Sequence, residues 1–473
     1  GAGGSSGGNG DGEPASAVRF AAAGWAVRHA ERSDPDALLS AITGAARDRR
    51  PTLVCCVQGP GGDAILPVVP GSGPAATAEW AALGHRGAAA RRSWLKRKAR
   101  HRQEAEFDRA FARGRPPDFA EHWRDGCAAG GSNGVDRTGT AGALDGMRQG
   151  LSLLDRLLPE LVPLRSGAGT ALSPPGTMFG GAAAIAAGAG AGRGVECGVI
   201  EHGMAALGNG LSLHGGTVPV IQAGLISVDR MRPALRLAAL MGQAVIYLLH
   251  DARGNNAGTA WQTVEQLASL RAMPNVVLFR PADAAEALAC WELALRERRG
   301  PSVVAISSDD DGVDPGPEPG PAAADPDATP LARARNGCAR GGYLVEAPPE
   351  AGRHATLLAT GPEVRVAIEA ARMLRCEGID AAVVSLPCWE LFAAQPSAYR
   401  AAILGGAPRI GIEAASGFGW ERWLGPDGSF IGLDGFGAAG PVASHPHASG
   451  ISPGSVVARV RRHPELFSAR FPD

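Results

Sequence analysis

Short apolar runs alternate with helical patterns through the middle of the chain, and this alternation is the main structural signal in the sequence. Apolar runs that are typical of buried parallel strands occur at 195–200, 217–222, 244–249, 276–279 and 302–306. Segments with a helical spacing of apolar residues lie between them, at 205–213, 232–241, 263–272 and 284–297. Alternating strands and helices predict an α/β unit, with a mainly parallel sheet covered by helices on both faces.

Similar but shorter patterns flank this middle segment. The stretch 15–60 predicts a helix, a short strand, a second helix that begins after the capping residues 33–36, and a buried strand at 52–57. Beyond residue 340, the pattern predicts strands at 355–361 and 381–386 with a helix at 364–376 between them. A Pro-, Asp- and Ala-rich linker is expected at 311–335 and a flexible Gly/Ser-rich tail at 1–12.

Composition narrows the class of protein. The 473 residues are 45% hydrophobic and carry a formal net charge of -1, which suits a soluble α/β protein and gives no bias toward nucleic acid or a membrane. No apolar run is long enough to span a bilayer. The eight cysteines are scattered without a CxxC pair, so we expect no metal site of the zinc type and a reducing, cytoplasmic location.

A basic run at 91–102 has two interpretations. Its clustered cations could neutralise the phosphates of a nucleic acid. They could instead form the solvated face of a helix that is followed by the acids Glu104, Glu106 and Asp108. Runs of charge are usually solvated faces, so we favour the second interpretation and expect no nucleic-acid partner.

A glutamate and a histidine each follow a predicted strand. Glu201 follows the run 195–200 and precedes a helix of small residues. The dipole at a helix N-terminus stabilises an acid, and this effect alone would explain a glutamate there. His250 follows the run 244–249, at the carboxyl edge where parallel α/β sheets bind their ligands.

The segment around Glu201 resembles the signature of the pyrimidine-binding domain of transketolases. It reads GVIEHGMAALGNGLSLHGG from Gly198 to Gly216. Other segments resemble the family in the same order along the chain, namely RPALRLAALM at 232–241, LASLRAMPN at 267–275, RPAD at 280–283 and RGGY at 340–343. The resemblance implies a transketolase-like fold of stacked α/β domains with mainly parallel sheets, which binds thiamine diphosphate.

The resemblance also implies a division into domains and a state of assembly. Residues 1–60 would be the remnant of a truncated diphosphate-binding domain, 61–139 a helical or irregular linker, and 140–310 the pyrimidine-binding domain. The linker 311–335 would lead into a transketolase C-terminal domain at 336–473. Family members are homodimers with sites between subunits, so the expected partner is a second copy or a complementing N-terminal subunit.

Family chemistry implies roles for four residues. Glu201 would bond the N1′ atom of thiamine diphosphate, so that the cofactor's own imino group removes the thiazolium C2 proton. His250 would hold a sugar phosphate, with Arg137 and Ser173 as two further phosphate contacts. Mg²⁺ would accompany the diphosphate. The implied reaction is the transfer of a two-carbon ketol unit between sugar phosphates.

Several family positions carry different residues in this chain. In the family an aromatic residue of the segment 223–236 stacks on the cofactor pyrimidine. The aromatic positions of that segment are Gly224, Ser227 and Arg230 here, which removes stacking surface. The acids at 309–311 would repel a sugar phosphate. Three further changes fall on substrate-reading positions, at Ala257, Trp261 and Ser308. These changes leave three alternatives open: an inactive scaffold or regulatory subunit, the C-terminal part of a split enzyme, and a thiamine enzyme for a substrate without phosphate.

Overall fold

The computed structural model describes residues 15–57, 74–128, 142–166, 194–251, 262–307, 330–436 and 450–463, apart from 23, 32, 33, 49, 199, 298 and 349–351. The predicted tail at 1–12 and residues 311–329 of the predicted linker lie outside the described residues. Two units divide the chain, Gly1–His101 and Arg102–Asp473. The domain boundaries given above stay predictions.

The described residues of the first unit form a small parallel sheet and three helices. Its elements are α1 (Ala15–Ala22), β1 (Ala26–Glu31), α2 (Pro35–Ala45), β2 (Thr52–Val57) and α3 (Pro74–Lys98). β1 pairs with β2 in parallel, and the Asp34 carboxylate caps α2 by accepting from the backbone N–H groups of Asp36 and Ala37.

The structure forms the predicted strand at 52–57 but does not bury it as predicted. Residues 52–55 of β2 are half-buried and Cys56 of the same strand is exposed. A two-stranded sheet has too little area to enclose a strand. The basic run begins on the last turns of α3, and most of its side chains are exposed. The prediction of an exposed helix is confirmed for 91–98, where the helix ends; the absence of a nucleic-acid partner stays a prediction.

The second unit opens with helices and continues with the predicted alternation. The helices are α4 (Glu104–Phe111), α5 (Phe119–Ala128), α6 (Ala143–Leu157), α7 (Glu201–His214), α8 (Val228–Leu240), α9 (Gln266–Arg271) and α10 (Ala284–Arg296). The strands are β3 (Leu161–Arg165), β4 (Val195–Glu196), β5 (Val218–Gly224), β6 (Ile246–Asp251), β7 (Val277–Phe279) and β8 (Ser302–Ser307). A turn of 3-10 helix, Leu225–Ser227, joins β5 to α8.

These six strands form one parallel sheet in the order β4-β3-β5-β6-β8-β7. One face carries Val220, Ile246, Leu248, Val304 and Ile306 and packs against α5, α6 and α10. The alternate strand residues, such as Ile221 and Tyr247, pack on the other face against α7, α8 and α9. The prediction of a mainly parallel sheet with helices on both faces is confirmed.

The chain then forms a second sheet. Its elements are α11 (Pro330–Ala339), β9 (Tyr343–Glu346), β10 (Ala355–Ala359), α12 (Glu363–Cys376), β11 (Ala381–Ser385), α13 (Trp389–Ala393), α14 (Ser397–Leu404), β12 (Arg409–Ile412), α15 (Glu421–Leu424), β13 (Ser429–Ile431) and α16 (Pro453–Arg461). The strand order is β13-β12-β10-β11-β9, and β9 alone among these described strands runs antiparallel to its neighbour.

None of the described helices combines the length and the apolar character needed to cross a bilayer.

A close contact between α6 and α10 depends on the absence of a side chain at Gly146. A Cβ at that position would lie 2.5 Å from the carbonyl oxygen and 2.6 Å from the Cα of Ala284. Backbone atoms cannot yield as a flexible side chain can. We therefore expect Gly146→Ala to lower the free energy of unfolding by about 1–3 kcal/mol, measured by chemical denaturation.

The matched control for this substitution is Gly210→Ala on α7, where a Cβ would meet no atom within 4 Å. A helical glycine in open space should gain up to about 1 kcal/mol on conversion to alanine. Equal effects of the two substitutions would show that the contact at Gly146 does not constrain the helices.

Candidate active site at the carboxyl ends of the central strands

Glu201 lies at the first position of α7, with its side chain 5% exposed. The predicted strand 195–200 is wrong beyond Glu196, where β4 ends. Gly198 follows with φ +64, a conformation that glycine adopts readily and that ends the extended chain. The helix therefore begins at Glu201, four residues before the predicted start, and its dipole favours the acid in the first turn.

Two side chains reach the Glu201 carboxylate from the segment after β5. Arg230 Nη1 donates a hydrogen bond to Oε1 at 3.0 Å, and Ser227 Oγ donates to the same oxygen at 3.4 Å. Both donors occupy positions where the family signature has aromatic residues. The Arg230 side chain is 54% exposed, so the pair joins a buried acid to a cation that borders solvent.

Gly224 connects this acid to the next strand. It is the last residue of β5 and pairs with His250 of β6. A Cβ on Gly224 would lie 3.9 Å from Ser227 Oγ, 3.9 Å from the carbonyl oxygen of His250 and no closer than 3.7 Å to any other atom. These are ordinary van der Waals distances, so Gly224 packs closely between the Glu201 cluster and the end of β6.

His250 is the second-last residue of β6, whereas the prediction placed it just after the strand. Its ring is partly buried, and Nε2 is buried with no hydrogen-bond partner among the described residues. Burial lowers the pKa of His250 below its ordinary 6.5; the Asp251 carboxylate opposes this shift and the Arg148 guanidinium adds to it. The imidazole is therefore neutral at pH 7 and can donate or accept a hydrogen bond.

Asp251 faces the opposite side of the strand from His250. It is 3% exposed and accepts a hydrogen bond from Thr263 Oγ1 at 2.5 Å. This contact ties the end of β6 to the segment before α9. We conclude that Asp251 supports the strand end, while His250 lies on the opposite face of β6, the face of Leu248.

The structure brings part of the predicted site together. Glu201 and His250 both lie at the carboxyl edge of the six-stranded sheet, with Gly224 and Ser227 between them. Arg137 and Ser173 lie outside the described residues, as do Ala257, Trp261, Ser308 and the acids 309–310. The Arg230–Glu201 pair was missed by the sequence analysis, although Arg230 was identified there as a replaced aromatic position.

Two family models match the chain. The model of the transketolase pyrimidine-binding domain matches residues 163–310, and the model of the transketolase-like C-terminal domain matches residues 341–452. Transketolase from Sinorhizobium medicae is 36% identical over 481 residues, which cover 93% of this chain and 65% of that protein. Transketolase from Rhodobacter capsulatus is 35% identical over 94% of this chain and 68% of its own length.

Solved transketolase structures share the fold. The enzyme from Leishmania mexicana matches with a TM-score of 0.77 at 24% identity, over 98% of this chain and 69% of that structure. A transketolase from Pichia stipitis, in complex with sedoheptulose-7-phosphate, gives a TM-score of 0.79 at 22% identity, over 96% of this chain and 69% of that structure. The structural matches support the fold, and the sequence identity to the relatives supports common ancestry with them. The chain belongs to the transketolase family.

Proposed function

We propose that this chain supplies the acidic residue of a thiamine diphosphate site and serves in the transfer of a two-carbon ketol unit between sugar phosphates. The observation that carries the proposal is the buried Glu201 carboxylate in the first turn of α7, at the edge where a parallel sheet binds ligands. Curated relatives that are 36% and 35% identical are named transketolases. Mg²⁺ is expected to accompany the diphosphate, and a homodimer or a complementing subunit is the expected assembly.

One feature of the site fits an aminopyrimidine ring. Both hydrogen bonds that the described residues give to Glu201 end on Oε1, so Oε2 keeps its capacity to bond a ring nitrogen. A Cβ at Gly224 would lie at ordinary van der Waals distances of 3.7 to 3.9 Å from its neighbours. The absence of an aromatic face at Gly224, Ser227 and Arg230 lowers the expected affinity, because buried rings supply large contact area.

The residues of the chain would act in three ways. Glu201 would hold a proton between its carboxylate and the ring nitrogen, in a buried setting that strengthens the hydrogen bond. Arg230 would stay as the cation at Oε1 while Oε2 meets the ring, which keeps the buried carboxylate paired. The neutral His250 ring would orient a substrate oxygen by hydrogen bonding. Thiamine diphosphate itself would supply the carbon that carries the two-carbon unit.

Calorimetric titration with thiamine diphosphate and Mg²⁺ tests the role of Glu201. We expect saturable binding that Glu201→Gln weakens by about tenfold or more, because a charge-assisted hydrogen bond is lost. Glu421→Gln is the matched control, since Glu421 is also a first-turn glutamate but is exposed on α15. It should leave the affinity unchanged.

The other outcomes separate the alternatives. Equal affinity of the wild type and Glu201→Gln would contradict the assigned role of the acid. Absence of binding by the wild type would contradict cofactor binding by this chain alone and favour a scaffold. Binding that appears only after a second chain with a diphosphate-binding domain is added would favour a split enzyme.

A further inference from the structure

The two donors to the Glu201 carboxylate act on the same oxygen. Arg230 Nη1 lies 3.0 Å and Ser227 Oγ 3.4 Å from Oε1, whereas Oε2 accepts no hydrogen bond from the residues that the structure describes. The terminal torsion of a glutamate side chain is broad and roughly two-fold, so a carboxylate without such donors turns easily. Two donors on Oε1 fix its orientation and leave Oε2 to meet a ligand.

The segment that carries the donors is itself held by packing. Ser227 ends the 3-10 turn after β5, and Arg230 lies in the first turn of α8. Leu225, Val228 and Met231 of the same segment are buried in the core under α7 and α8. The backbone that presents the hydroxyl and the guanidinium is therefore anchored on both sides of each donor.

The same two positions carry aromatic residues in the family signature. An aromatic ring supplies contact area to the face of a bound heterocycle. In this chain the two positions supply hydrogen bonds to Glu201 instead, and the third aromatic position is Gly224, which has no side chain. The replacements exchange contact with the face of a ligand ring for orientation of the acid that meets its edge.

Burial makes recognition of that edge selective. Glu201 is 5% exposed, and a hydrogen bond to a buried carboxylate is charge-assisted and stronger than one in water. A site built around such a bond rejects a ligand that lacks the matching atom, because the buried group is then left unpaired. With little face contact to offset this loss, the ring nitrogen decides whether the ligand binds.

We infer that Ser227 and Arg230 are positioning residues, which make this site select its ligand by the ring nitrogen that meets Glu201 Oε2. The ligand class is a planar heterocycle with nitrogen at that edge, such as the aminopyrimidine of thiamine diphosphate. A ring of the same shape with C–H at that place is rejected. The inference rests on the proposed function, because it takes this cofactor as the ligand.

Calorimetric titration of the full chain with two probes tests the selectivity. The probes are thiamine diphosphate and its 1′-deaza analogue, in which C–H replaces the ring nitrogen, each with Mg²⁺. We expect the wild type to bind thiamine diphosphate at least tenfold more tightly than the analogue. Arg230→Phe should reduce this preference to about threefold or less and bind the analogue more tightly than the wild type does, because the new ring contacts the face of the ligand.

Further variants separate orientation of the acid from contact with the ring. Arg230→Met removes the donor without adding a ring, so the preference should fall while the affinity for the analogue stays unchanged. Arg230→Lys keeps a cationic donor and should retain more of the preference than Arg230→Met. Arg236→Phe is the matched control, since Arg236 is exposed on the same helix, and it should keep the wild-type preference. Melting temperatures show whether each variant is folded.

The outcomes separate this inference from the proposed function. Equal affinity of the wild type for the two probes overturns the inference and leaves the proposed function in place. A wild-type preference that persists in folded Arg230→Phe and Arg230→Met overturns the role of Arg230, and so does an equal loss of preference in Arg236→Phe. Failure of the wild type to bind either probe overturns the proposed function and the inference together.

Discussion

Replacing Glu413 by glutamine should lower the free energy of unfolding by about 3 kcal/mol or more, because it leaves buried cations without their carboxylate. Glu413 follows β12 and is 0% exposed. Arg271 donates to its two oxygens, each at 2.7 Å. Thr360 Oγ1 donates at 2.5 Å and Trp420 Nε1 at 3.0 Å, and Arg280 Nη1 lies 3.7 Å away. All four neighbours depend on one carboxylate.

The remaining contacts of the two arginines cannot replace Glu413. Arg280 is 2% exposed and pairs with Glu363, with further hydrogen bonds to the Thr360 carbonyl and hydroxyl oxygens at 2.8 Å. The Arg271 guanidinium lies over the Trp389 ring, 3.7 Å from its centroid, where a cation–π contact adds about 1–2 kcal/mol. Neither contact supplies a second negative charge for Arg271.

Chemical denaturation at pH 7 measures the effect. The matched control is Glu377→Gln, which breaks an exposed pair with Arg461 and should cost less than about 1 kcal/mol. If the two substitutions cost the same, the Glu413 cluster does not hold the two sheets together as its geometry indicates.

Raising the pH from 4.5 to 7 should destabilise the protein through Glu286, by on the order of 3 kcal/mol if no other group offsets it. Burial raises the pKa of Glu286 from 4.5 to about 7, and the neighbouring Asp283 charge adds to the shift. Tyr343 Oη and Ser385 Oγ donate to Oε1 at 2.8 and 2.6 Å, and the Ala282 N–H donates to Oε2 at 2.8 Å.

The sign of this pH effect follows from which state of the chain, folded or unfolded, keeps the Glu286 proton. Between pH 4.5 and 7 the folded chain keeps the Glu286 proton while the unfolded chain has released it, so stability falls as pH rises. Glu413 acts in the opposite direction at lower pH. Burial alone would raise its pKa, but Arg271 and Arg280 lower it to about 2. Its contribution is complete above pH 4.5 and is lost as pH falls toward 2.

Denaturation midpoints at several pH values between 4.5 and 7 check the prediction for Glu286. Glu286→Gln cannot titrate and should show a flatter profile than the wild type over that window, since its amide oxygen can still accept from Tyr343 and Ser385. A wild-type profile that rises across the window, or a variant that keeps the wild-type slope, would contradict the assignment.

Helices and strands whose sequence signal lies within the element itself were predicted well. The apolar run at 302–306 became β8, Ser302–Ser307, and the pattern at 284–297 became α10, Ala284–Arg296. Asp283 caps that helix by accepting from the Glu286 N–H at 2.8 Å, which is a contact within one turn. The predicted strand at 195–200 failed because the backbone conformation of Gly198 outweighed the apolar pattern.

The sequence predicted only those site residues that match positions of the family signature. Glu201 begins a helix, and His250 lies within the last two residues of β6 rather than after the strand; the roles assigned to both stay predictions. The Arg230–Glu201 contact joins residues 29 positions apart, and the Arg271–Glu413 contact joins residues 142 positions apart. Neither separation corresponds to a helix or strand repeat, so a single sequence does not reveal either contact.

The shared carboxylate of Glu413 also restricts how these two sheet domains can evolve. Arg271 and Arg280 belong to the six-stranded sheet domain, while Glu363 and Glu413 belong to the five-stranded one. An exchanged C-terminal part that lacked either acid would leave a buried arginine of the first sheet domain without its carboxylate.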